Sequence, residues 1–315
     1  MDERKLELFA RLALATTLAT YLLILVGGLV RASGAGLGCP DWPTCYGQWI
    51  PPTSVSQLPA GYDASEFNAA LTWTEYLNRL LGVTIGLLIT ATLVAAARWH
   101  RREPRILWPA VAAFLLVVFE GWLGGQVVRS GLEPWMISAH LLLALLIVTL
   151  LLYATFAAFR LRKGGGDVIS PGRRRIVVFA TVVIALVLVQ VYLGTHVRGG
   201  IEEALKADPD LDRTRWLGAV SGEDQVHRAV ALLVTLGVAS LLLRIRVEFA
   251  QDRPLTRWAV AAAGLTGAQV AAGVILTRMD LPPAVQVVHL SLASLLLGAL
   301  VVVALVAGSA HRERR

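Results

Sequence analysis

Four of the six histidines in this 315-residue chain, His140, His196, His227 and His289, stand near one end of long apolar runs. An ionisable side chain in or at the edge of such a run is costly, and it marks a functional candidate. His100 and His311 sit among arginines instead, where a solvated surface is the expectation. His227 and His289 open two runs at similar depth, so both imidazoles can project into one helical bundle. Two neutral imidazoles facing each other across an apolar space hold haem iron from both faces. Zinc asks for three or four N, S or O ligands at fixed spacing, and the sequence offers no such cluster. Arg228 beside His227, and Arg278 at the outer end of the next run, are placed to pair with the carboxylates of a bound porphyrin. Snorkelling to the membrane interface is their other reading.

The same pattern occurs earlier in the chain with different residues. Adding 149 takes Asn78 to His227, Arg79 to Arg228, Arg129 to Arg278 and His140 to His289. Val30-Arg31 corresponds to Val197-Arg198 at an offset of 167, the difference being absorbed by a longer first outer loop. The spacing predicts a parallel repeat of two four-helix units, residues 1–165 and 166–315, related by an axis along the membrane normal. Asn is a poor iron ligand, so the first unit offers one good axial ligand, His140. Such a site suits an exchangeable substrate better than a permanent cofactor. Glu75 lies three residues before Asn78 on the same helical face. It is a candidate acid–base or charge-stabilising group, or alternatively a carboxylate stabilised by the helix N-terminus. Glu120 lies deeper in its run and corresponds to Gln269; it is placed to hydrogen-bond within the bundle or to relay protons. Cys39 and Cys45 flank Pro40-Asp41-Trp42-Pro43-Thr44, close enough for a disulfide outside the cytoplasm. Structural clip and redox-active pair both remain open at this point.

These residues need positioning elements, and composition says what kind. Hydrophobic residues make up 56% of the chain and charged residues 16%, well below the usual quarter of a soluble domain. That excludes a soluble enzyme, a coiled coil and a disordered chain. A membrane-spanning helix needs roughly 20 apolar residues. Eight runs qualify, at about 10–30, 75–97, 106–128, 136–158, 175–197, 224–243, 257–277 and 283–308. The expected fold is an all-α membrane protein of eight transmembrane helices in two tandem four-helix bundles. Most of the 29 Lys and Arg lie in the two tails and in alternate loops, at 98–105, 160–175 and 244–257. The positive-inside rule puts both termini in the cytoplasm and the four histidines toward the outer side. The net charge of +7 therefore reads as membrane topology, not nucleic-acid binding. Two longer outer loops remain, near 31–74 and 198–223.

Particular stretches resemble the haem A synthases, membrane enzymes that mature haem for terminal oxidases. They are Gly27-Gly28-Leu29-Val30-Arg31, Ser33-Gly34-Ala35-Gly36-Leu37-Gly38-Cys39-Pro40-Asp41-Trp42-Pro43, Glu75-Tyr76-x-x-Arg79 and Gly124-Gly125-x-x-Val128-Arg129. His140, Thr195-His196-Val197-Arg198-Gly199, His227-Arg228 and His289 extend the likeness through all eight runs. The resemblance implies conversion of the C8 methyl of haem O to a formyl group by successive hydroxylations. It implies haem b as cofactor on His227 and His289, with Arg228 and Arg278 beside it. Substrate haem O would lie in the first unit with His140, Asn78, Arg79 and Arg129, and Glu75 would serve as the catalytic carboxylate. A haem O synthase would supply the substrate in the plasma membrane; the electron donor and any homo-oligomer stay open. Many members have His in place of Asn78, and some carry a second cysteine pair where residues 198–223 here have none. Two other readings are a dihaem b-type electron-transfer subunit and a repeat-built transporter of haem or lipid.

Overall fold

The computed structural model describes residues 2–162 and 170–309. The expected boundary between the two units at 165/166, and His311 with the last arginines, lie outside the described residues. Among these residues, eight helices are long and apolar enough to cross a membrane: α1 (Glu3–Ala32), α2 (Ala69–Trp99), α3 (Pro104–Arg129), α4 (Pro134–Arg162), α5 (Pro171–Ala207), α7 (Ser221–Glu248), α8 (Arg253–Arg278) and α9 (Pro283–Ala307), with a short α6 (Trp216–Ala219) between α5 and α7. The expected all-α membrane fold is what the chain adopts.

Helix ends follow local chemistry. Asp2, Asn68, Ser170 and Asp252 cap α1, α2, α5 and α8 by accepting from free backbone N–H groups of the first turn. Prolines open α3, α5, α8 and α9, where no intrahelical donor is lost. Helix α1 packs on α2, α4 and α9; α4 also contacts α3, α5 and α9; α5 contacts α7 and α9; and α8 contacts α7 and α9. Leu18, Val83, Leu87, Leu115, Leu236 and Leu243 point outward, as a lipid-facing surface requires.

Without a hydrophobic force between helices in lipid, polar contacts and close packing hold them together. Thr16 meets Thr92 at 3.1 Å, Thr17 meets Thr155 at 3.4 Å, and Ser138 of α4 meets Thr195 of α5 at 2.7 Å. At the other end of the bundle the buried Arg173 pairs with Asp252 and donates to the carbonyls of Val306, Ala307 and Ser309, tying α5, α8 and the end of α9 together.

Two expectations need correction. His100 is not solvated; it is 3% exposed and meets the ring of Phe9 edge-on, because the turn after α2 folds under the start of α1. The second long outer loop is also shorter than 198–223. Helix α5 runs on to Ala207, held by the Arg198–Glu202 pair one turn apart (3.0 Å) and by Arg31 of α1 on the same carboxylate (3.1 Å). Ile201 packs against Val197 and Val220 beneath that extension.

Candidate functional site

The histidines expected to act as a pair line one cavity. His227 from α7 and His289 from α9 border a space of about 550 Å³ enclosed by α1, α5, α7, α8 and α9. Its walls are mainly apolar, from Val187, Val191, Val234, Leu290 and Leu296 among others. A volume of this size suits an organic cofactor; such sites run roughly 300–1,000 Å³.

Each imidazole has the same kind of seat. A β-carbon on Gly194 would come within 3.1 Å of His227 Cε1, and one on Gly273 within 3.4 Å of His289 Cε1. The rings thus lie against bare helix backbone, where a larger residue would push them away. Gln190 Nε2 is 3.1 Å from both ring nitrogens of His227, and Gln269 Nε2 is 3.1 Å from His289 Nε2. His289 Nδ1, Gln190 Oε1 and Gln269 Oε1 are buried without partners among the described residues. Buried polar atoms are costly when unpaired, and two imidazoles, two amides and a roomy apolar slot fit a haem held through both faces.

The cations of the cavity are Arg31, Arg198 and Arg228. Arg31 and Arg198 share Glu202, and Arg31 Nε is buried without a partner among the described residues. Arg228 pairs with Asp224 at 2.6 Å, and its side chain is 56% exposed. Arg278 is exposed at the end of α8 and does not line the cavity. Arg31 and Arg198 had been visible only as matching Val-Arg pairs. Gln190 had no sequence signal beyond a lone amide in an apolar run.

The first unit gathers a different set. His140 from α4 lies against Gly124 of α3, where a β-carbon would stand 3.2 Å from Cε1. Its Nδ1 is 3.2 Å from Glu120 Oε1. His140 Nδ1, Glu120 Oε2 and Asn78 Oδ1 are buried with no hydrogen-bond partner among the described residues. This cluster holds one imidazole and one unpaired amide.

Glu75 and Arg79 are committed elsewhere. Glu75 is 4% exposed; its Oε2 accepts from the Cys39 N–H at 2.7 Å and its Oε1 from Arg79 Nη2 at 2.5 Å. Arg79 in turn donates to the carbonyls of Asp41 and Thr44, both at 2.8 Å. Arg129 donates to the Trp42 carbonyl at 3.2 Å and lies over the Trp42 ring. These three residues clamp the loop between α1 and α2 onto α2 and α3. Within the loop, Asp41 accepts from the N–H groups of Tyr46 and Gly47, and Tyr46 packs on Tyr62 and Phe67.

Cys39 and Cys45 are joined in a disulfide, both essentially buried. Protein isolated without reductant should therefore resist alkylation at both positions until a reductant is added. Free thiols found by mass spectrometry in such protein would contradict the bridge. His196 is exposed on α5 beside Tyr192 and lines neither the 550 Å³ cavity nor the His140 cluster.

A family model described as "Cytochrome oxidase assembly protein" matches residues 10–301. Among curated relatives, a protein of Agrobacterium fabrum named Heme A synthase is 28% identical over 335 residues, covering 94% of this chain and 88% of that protein. Proteins of the same name from Bartonella tribocorum and Shewanella oneidensis are 27% and 31% identical over 201 and 140 residues, covering 56% and 44% of this chain. The matched part of the chain spans about half the length of these two relatives, 54% and 42%.

Proposed function

The chain belongs to the haem A synthase family of cytochrome oxidase assembly proteins, and from that premise we propose that it makes haem A from haem O. The reaction is oxidation of the C8 methyl group to a formyl group by successive hydroxylations. The observation that carries the reading is the single cavity shared by His227 and His289, with guanidinium groups beside it. Those imidazoles would hold haem b, with Arg31, Arg198 and Arg228 facing its propionates. When bound, haem b supplies one-electron transfer. Substrate haem O would sit in the first unit on His140, with Asn78 toward its other face. The exposed half of the His140 side chain, 41%, suits a ligand that enters and leaves.

In this reading the two halves of the chain are unequal repeats, residues 1–165 for substrate and 166–315 for cofactor. Arg79, Arg129 and Glu75 serve the substrate site by fixing the loop beside it. Direct acid–base work by Glu75 would first require release from Arg79 and the Cys39 amide. The disulfide supports an outer position for the first loop, and the arginine pattern supports cytoplasmic termini in the plasma membrane. A haem O synthase is the chemically required supplier of substrate. A membrane donor must supply the electrons, and assembly into homo-oligomers is compatible with the wide lipid-facing surface. The dihaem electron-transfer alternative fits less well, because Asn78 denies the first unit a second imidazole. Expression in a host that makes haem O but no haem A tests the function. Haem A should appear in extracted pigments, and haem O unchanged beside folded protein would overturn the proposal.

Asn78 gives a sharper test of the open iron face. Asn78→His should convert bound substrate haem toward low spin, since a second imidazole fills the vacant position. An unchanged spectrum with haem occupancy verified would place residue 78 away from the iron.

A further inference from the structure

Each candidate axial histidine has a polar partner from a neighbouring helix, and the partners differ in charge. His227 faces Gln190 and His289 faces Gln269, both neutral amides at 3.1 Å. His140 faces the carboxylate of Glu120 at 3.2 Å. Glu120 and Gln269 occupy corresponding places, since His140 and Gly124 are displaced by the same 149 residues from His289 and Gly273. The geometry of the seats is alike: each imidazole lies with Cε1 against its glycine, at 3.2 and 3.4 Å from an added β-carbon. Two things change between the places: carboxylate for amide, and the ring nitrogen that faces it, Nδ1 in His140 and Nε2 in His289. Glu120 has no other cation to satisfy it among the described residues, and its Oε2 is buried and unpaired. A buried carboxylate without a structural partner is expensive, so a role toward His140 accounts for its presence.

We propose that Glu120 is the positioning residue of the substrate site, orienting His140 as an iron ligand and lowering the reduction potential of the haem bound there. This rests on the reading that His140 binds substrate haem. With iron on Nε2, the remaining ring nitrogen is Nδ1, 3.2 Å from Glu120 Oε1, and a proton held between them would fix the tautomer and the ring plane. A carboxylate acceptor makes the imidazole a stronger electron donor than an amide does, and it favours the oxidised iron. The amides beside His227 and His289 leave haem b without that bias. One chain thereby holds two haems of similar surroundings at separate potentials.

Spectroelectrochemical titration of the purified full chain loaded with haem O tests this. Glu120→Gln should shift the substrate-haem midpoint upward and leave that of haem b in place. Gln269→Glu should shift the haem b midpoint downward and leave that of haem O in place. Unmoved midpoints, with both haems bound, would overturn the proposal. If Glu120→Gln fails to retain haem O, Gln269→Glu decides alone, and an unmoved haem b midpoint is then the contrary result. His140→Ala separates the underlying reading: undiminished haem O binding in that variant would show that His140 is not the ligand, and both claims would fall together.

Discussion

His227→Ala or His289→Ala should abolish the low-spin b-type absorption of the purified protein, while His140→Ala leaves it nearly intact. Both imidazoles line one cavity and come from different helices, so removing either leaves haem with a single protein ligand. The losses should be all-or-none in the spectrum, because low spin needs both axial nitrogens. The seats give an independent check. Gly194→Val places branched carbons where His227 Cε1 now lies, so it should weaken the same absorption with both histidines present. A b-type spectrum indifferent to His227 and His289 would remove the cofactor assignment.

The second large effect concerns the loop clamp. Glu75→Gln and Arg79→Met should lower haem A yield together and by similar factors, with haem b retained in both. Each breaks the same buried ion pair, and removing one partner of such a pair typically costs about 3–5 kcal/mol. The Glu75 side chain is 5% and that of Arg79 15% exposed, so water does little to compensate. The Cys39 amide and the carbonyls of Asp41 and Thr44 would lose their partners at the same time. The loop should loosen, and limited proteolysis between residues 39 and 47 should speed up in both variants. Normal conversion in Arg79→Met alongside none in Glu75→Gln would instead give Glu75 a direct part in the chemistry.

Much of this molecule was legible in the sequence. Eight apolar runs fix eight helices, because a backbone in lipid has few other ways to satisfy its hydrogen bonds. The runs place most helix starts to within two turns, while the end of α5 at Ala207 lies well beyond the expected 197. The pairing of His227 with His289 could be read from similar depth and a shared offset. What escaped was set by contacts between distant segments. The extension of α5 depends on Arg31, which lies 171 residues before Glu202. The choice of Arg31 and Arg198 over Arg278 at the cavity depends on how α8 is rotated, which hydropathy does not encode. The resemblance places Arg79 and Arg129 at the substrate haem, yet both donate to carbonyls of the α1–α2 loop. His100 looked solvated because its neighbours in sequence are charged, whereas its neighbour in space is Phe9.

The central claim is a division of labour, with a permanent haem b in the second unit and haem O under oxidation in the first. The haem content of protein purified from a host producing haem O tests it most directly, comparing the native chain with His140→Ala. The native chain should carry haem b together with haem O and haem A, and His140→Ala should carry haem b alone. Haem A persisting in His140→Ala, or haem b disappearing with it, would contradict the account.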